Sequence, residues 1–258
     1  GYREKTNSCG IRTADYTPMD HFHQGRFGII GKKEKYDRVG YALAVGDFNN
    51  DGGIDLAIGA PNEDVGKHDD AGGVNVLMAD VNKDLDYCAE GFTYFNNTAW
   101  SQGNLQGKRK EKEYFGKALA TGDFNGDGTA DLAIGVPGDV ELGNQLTSKD
   151  NKANAGAVNI IYGDAYVTTL NEGGPALLGN EQVHQNLKGV SGGREAGDEF
   201  GAALAAGDFN GDGVDDLAIG VPGEDIGDVK NAGMVHILYG FDGRYNNLAS
   251  GGLVKAAA

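Results

Sequence analysis

The chain has 258 residues, with 22 Lys and Arg against 38 Asp and Glu, a formal net charge of −16. That balance disfavours a sequence-independent grip on nucleic-acid phosphates or anionic lipid and makes a cation the better-matched partner. No run approaches the roughly 18 apolar residues of a membrane span, and 44 Gly with only 5 Pro and no collagen period point to tight turns at fixed intervals.

In chain order, the first residues, Gly1-Tyr2-Arg3-Glu4-Lys5, carry neither Met nor the apolar stretch of a signal peptide, so the expectation is a soluble chain that is processed or a fragment. From Gly40 a unit begins that recurs three times. Its first copy runs Gly40-Tyr41-Ala42-Leu43-Ala44-Val45-Gly46-Asp47-Phe48-Asn49-Asn50-Asp51-Gly52-Gly53-Ile54-Asp55-Leu56-Ala57-Ile58-Gly59-Ala60-Pro61. The second runs from Phe115-Gly116 through Asp123 to Val136-Pro137, and the third from Phe200-Gly201 through Asp208 to Val221-Pro222. Similarity continues downstream into Val74-Asn75-Val76, Val158-Asn159-Ile160 and Val235-His236-Ile237, and upstream to Gln24, Gln102 and Gln185.

Each unit reads as short strands bounded by Gly, Asn, Asp or Pro, and no segment sustains a helical period. The small residues of Ala42-Leu43-Ala44, Ala118-Leu119-Ala120 and Ala203-Leu204-Ala205 suit a first strand at a crowded axis. In the third strand apolar residues occupy both faces, Val74 and Val76 on one and Leu77 on the other, which predicts burial on both sides, as in stacked sheets.

Between the first two strands lies an Asp-x-Asn-x-Asp-Gly-x-x-Asp ladder. Oxygen ligands at alternate positions of a tight loop converge on one point, and Gly after the third ligand permits the turn. Three carboxylates and an amide make a hard, oxygen-only site suited to calcium. The expected ligands are Asp47, Asn49, Asp51 and Asp55 with the Gly53 carbonyl; Asp123, Asn125, Asp127 and Asp131 with the Thr129 carbonyl; and Asp208, Asn210, Asp212 and Asp216 with the Val214 carbonyl. An EF-hand needs a bidentate Glu at the twelfth loop position, where this chain has Ile58, Ile134 and Ile219. A metal-free Asx-rich turn is the alternative for any single loop. Three calcium ions would set six positive charges against the net −16 and contribute to the stability of the fold.

These residues resemble the FG-GAP repeat of integrin α-subunit β-propellers. Phe115-Gly116 and Phe200-Gly201 supply the Phe-Gly, Gly59-Ala60-Pro61 supplies the Gly-Ala-Pro, and the aspartate ladder lies between. Val39-Gly40 replaces Phe-Gly in the first repeat, and Val replaces Ala at Val136 and Val221. The resemblance implies an all-β chain of three propeller-type blades, each a four-stranded antiparallel sheet, with calcium on an edge loop and a role in adhesion or recognition. The blades are expected at 22–98, 99–182 and 183–240, between an N-terminal flank (1–21) and a C-terminal flank (241–258). Closed propellers have about 4–8 blades. Three are therefore expected to be a partial ring, one completed by other chains, or a stack held by a partner, and the flanks are candidates for a missing outer strand.

Other features are weaker. Cys9 and Cys88 are the only cysteines, and a disulfide and two free thiols both remain open. Asn96-Asn97-Thr98 is a glycosylation sequon. Gly189-Val190-Ser191-Gly192-Gly193 has the spacing of a nucleophile elbow but not its strand-to-helix context, so no catalysis is expected there. His21 and His23 are either a metal pair or part of an exposed strand, and Lys108 to Glu113 is a solvated loop or a docking point for an acidic partner. The loops Asn62 to Ala71, Gly138 to Ala155 and Gly223 to Ala232 are the expected seat of specificity. The functional expectation is a secreted or cell-surface calcium-binding module that recognises a protein or glycan and is not itself an enzyme. Its alternatives are a self-associating subunit of an extracellular filament or complex, and an accessory domain of a secreted hydrolase.

Overall fold

The computed structural model describes residues 22–25, 29, 31–79, 97–105, 110–139, 153–163 and 180–242, and the backbone of 252–254. Twelve strands are present in these residues: β1 (Ala42–Gly46), β2 (Asp55–Ala60), β3 (Gly73–Leu77), β4 (Thr98–Trp100), β5 (Leu119–Gly122), β6 (Asp131–Val136), β7 (Ala157–Ile161), β8 (Asn180–Val183), β9 (Ala203–Gly207), β10 (Asp216–Val221), β11 (Met234–Phe241) and β12 (Gly252–Val254). They form three four-stranded antiparallel sheets in the orders β1-β2-β3-β4, β5-β6-β7-β8 and β9-β10-β11-β12. The three sheets are propeller-type blades. The last outer strand comes from the C-terminal flank, with Tyr239 opposite Val254.

Register repeats from blade to blade. Leu43 faces Ile58, Leu119 faces Ile134 and Leu204 faces Ile219. The second strands begin at the last Asp of each ladder and read Asp-Leu-Ala-Ile-Gly, central strands whose apolar residues serve both faces. Their Gly is required by close approach: a Cβ on Gly59 would lie 2.2 Å from the Gly116 carbonyl oxygen, and one on Gly135 2.1 Å from that of Gly201.

Each blade grips the next through backbone and side chains. Phe115 N–H donates to the Ala71 carbonyl and Phe200 N–H to that of Ala155, each at 3.1 Å. The Thr121 hydroxyl donates to the Val45 carbonyl at 2.8 Å, joining β5 to β1. One apolar cluster between the first two blades contains Phe48, Val74, Val76, Phe115 and Leu132. Its counterpart between the second and third contains Phe124, Val158, Ile160, Phe200 and Leu217. Phe115, Phe124 and Phe200 have no exposed surface, and each contributes about 1.5–3 kcal/mol by burial.

The two-sided burial predicted for the third strands holds in β3 and β7, where every residue is buried. It fails in β11, where Val235 is 67% exposed, Ile237 39% and Tyr239 40%. The reason is positional. β3 and β7 are covered by the Phe-Gly turn of the following blade, and among the described residues no blade follows β11.

Candidate metal centres and inter-blade acid pockets

The three ladders adopt one conformation. In the first, both Asp47 oxygens accept backbone N–H bonds, from Asp51 at 3.1 Å and Gly52 at 2.9 Å. Asn49 Oδ1 accepts from Asp51 N–H at 3.2 Å, Asp51 Oδ1 accepts from Gly53 N–H at 2.8 Å, and Asn49 Nδ2 donates to Asp51 Oδ2 at 2.9 Å. The same five bonds recur around Asp123, Asn125 and Asp127 and around Asp208, Asn210 and Asp212. The turn needs left-handed backbone at two positions: Asn50 (φ 54) and Gly52 (φ 88) in the first loop, Gly126 (φ 70) and Gly128 (φ 91) in the second. Asn and Gly tolerate that region best.

The last Asp of each ladder sits apart, at the start of the second strand. Asp55 accepts from Phe48 N–H at 3.0 Å and Ala79 N–H at 2.8 Å. Asp131 accepts likewise from Phe124 and Gly163, and Asp216 from Phe209 and Gly240. Each therefore pins the loop to the end of the third strand. Burial pushes the Asp55 carboxyl up to about 6 and that of Asp131 up to about 8, backbone amides oppose the rise, and neighbouring ladder aspartates add to it. Burial also raises Asp123. Asp208 is fully exposed, and the amide of Gly213 first, with other loop amides, holds it below the usual range.

The structure thus brings together the first three side chains of each ladder and directs them, with the fourth, onto backbone amides. Among the described residues no three His, Cys, Asp or Glu side chains meet at metal-holding spacing. In donor chemistry the loops fit a hard divalent cation: every side-chain donor is an oxygen, and all lie within nine residues of chain. Thr129 and Val214, the expected carbonyl ligands of the second and third loops, are buried.

A second repeated constellation was not read as a site from the sequence. Two residues beyond each Pro of the Gly-Ala-Pro position stands an acid, Glu63, Asp139 or Glu224, and three residues before each opening Gly another, Asp37, Glu113 or Asp198. All but Glu63 are buried. Gln24 Nε2 donates to Glu63, and Gln185 Nε2 donates to Glu224 Oε2 at 2.5 Å. Burial, then Asp37 and Glu34, pushes Glu63 up to about 7; burial, with Asp198 and Glu195 nearby, raises Glu224. The middle pocket is neutralised. Asp139 binds Lys110 Nζ at 3.0 Å and Arg194 Nη2 at 2.9 Å. Arg194 is 3% exposed and precedes the third blade, so it crosses to the blade before it. The recurring Gln and acids were the available signal.

Of the remaining expectations, His23 Nδ1 lies 2.9 Å from the Gln24 carbonyl, while His21, Cys9, Cys88, Asn96, Lys108 and Arg109 are outside the described residues. Ser191 is exposed in the irregular segment between β8 and β9. The first and third post-Pro loops share a hairpin tip, Val65 paired with His68 and Ile226 with Val229; most of the second lies outside the described residues. No helix among the described residues is long and apolar enough to cross a membrane.

Repeated blades with a Phe-Gly turn, an aspartate ladder and a Gly-Ala-Pro strand define a class, and comparison with known proteins identifies it. The FG-GAP repeat model matches residues 39–77, 115–160 and 200–238, and the chain is an FG-GAP repeat protein. It is 31% identical over 205 residues to integrin alpha-PS2 of Drosophila melanogaster, covering 78% of this chain and 12% of that protein. It is 28% identical over 236 residues to mouse integrin alpha-3, covering 88% and 17%. Human phosphatidylinositol-glycan-specific phospholipase D is 30% identical over 203 residues, covering 72% and 19%. The chain thus spans less than a fifth of the length of these relatives.

Proposed function

We propose that the chain is a calcium-stabilised recognition module of an extracellular or cell-surface protein, without catalysis of its own. The observation that carries this reading is the triplicated ladder, in which an oxygen-only donor set is held by the same five hydrogen bonds in each blade. Asp47, Asn49, Asp51, Asp55 and the Gly53 carbonyl would hold the first ion. Asp123, Asn125, Asp127, Asp131 and the Thr129 carbonyl would hold the second, and Asp208, Asn210, Asp212, Asp216 and the Val214 carbonyl the third. Each ion would offset carboxylate repulsion within its loop and fix the connection between the first two strands of a blade. Resemblance to integrin α chains supports a protein or glycan ligand bound at the post-Pro loops, where the exposed tips Ile226 and Val229 stand clear of the blade. Chelation is the test. Three ions bound only by the folded state should raise the melting temperature by more than about ten degrees over the chelated protein. An unchanged melt in excess chelator would refute the reading.

Similarity to phosphatidylinositol-glycan-specific phospholipase D supports a second reading, an accessory module of a secreted hydrolase. It requires a catalytic region outside these residues. Finding one in the same polypeptide would select it.

A further inference from the structure

The two junctions between successive blades share a short backbone contact. Ala130 N–H donates to the Asp47 carbonyl and Asp215 N–H to the Asp123 carbonyl, each at 3.1 Å. The residue just before the last Asp of one ladder therefore lies against the first Asp of the preceding ladder. A glycine leaves space for it: a Cβ on Gly46 would lie 2.8 Å from the Ala130 Cβ, and one on Gly122 2.9 Å from the Asp215 Cβ. The junctions differ in what stands there. At the first it is a methyl group, and at the second a carboxylate, whose Oδ2 accepts from Asp123 N–H at 3.0 Å. Asp215 thus holds both backbone groups of Asp123, which carries the first side chain of the second ladder. The third blade also closes on this loop at Gly126, where a Cβ would lie 2.9 Å from the Asp242 Cβ and 3.3 Å from Val214 Cγ2.

We propose that Asp215 is a positioning residue for the ion of the second ladder, supplied by the next blade: it fixes Asp123 and adds a negative charge that raises the calcium affinity of that loop. The role rests on the calcium reading of the ladders. Asp123, Asp127 and Asp131 already bring three carboxylates to the second ladder, and Asp215 sets a fourth beside them. Asp215 is half-buried, and no Lys or Arg among the described residues pairs with it. A carboxylate in that place repels its neighbours while the loop is empty and attracts a divalent ion once one is bound, and oxygen-ligand sites tune their calcium affinity by such charge and by rigidity. Ala130 offers the first ladder neither. Because the charge comes from the third blade, ion binding in the second ladder and packing of the third blade on the second favour each other.

The test is a site-resolved calcium titration of the whole chain by NMR, with free calcium set by a chelator buffer. The amides of Gly52, Gly128 and Gly213 report the three loops, since each donates to the first Asp of its own ladder. Asp215→Asn keeps an oxygen that can accept from Asp123 N–H and removes the charge. It should raise the free calcium that half-fills the second loop on the order of tenfold, with a smaller change at the third loop and none at the first. Ala130→Asp makes the reverse change at the first junction and should lower the half-filling concentration of the first loop by a similar factor. This second variant decides the matter even if Asp215→Asn loosens the blade contact. A second loop that fills at wild-type calcium in Asp215→Asn, or a third loop that shifts as much as the second, would overturn the proposal, as would an unchanged first loop in Ala130→Asp. In those outcomes the wild type still responds at all three loops, so the ladders keep their assignment. Loops silent to calcium in the wild type would refute that assignment and the role of Asp215 with it.

Discussion

Phe124 and Phe209 occupy the same place in successive ladders, and comparing their removal isolates what a following blade contributes. Phe124 has no exposed surface and packs with Leu217 and Leu238 of the third blade, whereas Phe209 is 50% exposed. Truncating a fully buried Phe to Ala costs about 3–5 kcal/mol, a transfer loss plus a cavity. For a chain of this size that corresponds to a fall of on the order of 6–20 °C in melting temperature. Phe209→Ala removes half-solvated surface and leaves no enclosed cavity, so its cost should be under about 1.5 kcal/mol. The assay is thermal and urea denaturation of both variants in dilute protein, with calcium held constant. Equal losses would refute the idea that burial at this position comes from the next blade, because the two side chains share the same loop hydrogen bonds and the same backbone bond to the last Asp of the ladder.

A parallel contrast exists at the Gly of the second strand. Gly135→Ala drives a methyl to 2.1 Å from the Gly201 carbonyl oxygen, while at Gly220 the nearest atom is the Ala203 Cβ at 3.2 Å. The first should cost about 1–3 kcal/mol or more and the second clearly less, read from urea midpoints. Arg194→Ala removes one of two cations on buried Asp139 and should cost about 2–4 kcal/mol. Adding Asp139→Asn should restore part of that loss, and a double-mutant cycle with no coupling would contradict the pairing. Asp127→Ala should lower the melting temperature in calcium but change it much less in chelator, as differential scanning calorimetry would show.

How much of this was legible in the sequence differs by element. The ladders and second strands were plain because their chemistry is local: Asp-x-Asn-x-Asp-Gly forms its turn from bonds within nine residues, and Asp-Leu-Ala-Ile-Gly keeps its aspartate and isoleucine buried in all three blades. The outer strands were not read from the residues. Asn180-Glu181-Gln182-Val183 has no apolar face because β8 lies at the sheet edge, and β4 spans only three residues. The exposed face of β11 misled for a different reason. Val235-His236-Ile237 has the same apolar alternation as Val158-Asn159-Ile160, and burial there depends on whether another blade follows, which a strand's own sequence does not encode. The acid pockets joined residues 39 apart, Gln24 with Glu63 and Gln185 with Glu224. Only the repetition of the spacing pointed to them.

Calcium stoichiometry, measured by isothermal titration calorimetry on the chelator-stripped chain, bears most directly on the role assigned to the ladders. The expected result is three ions per chain, falling to two in Asp127→Ala and again to two in Asp212→Ala. Titrations that show no saturable binding, or three ions retained in either variant, would contradict the assignment of these loops as metal sites.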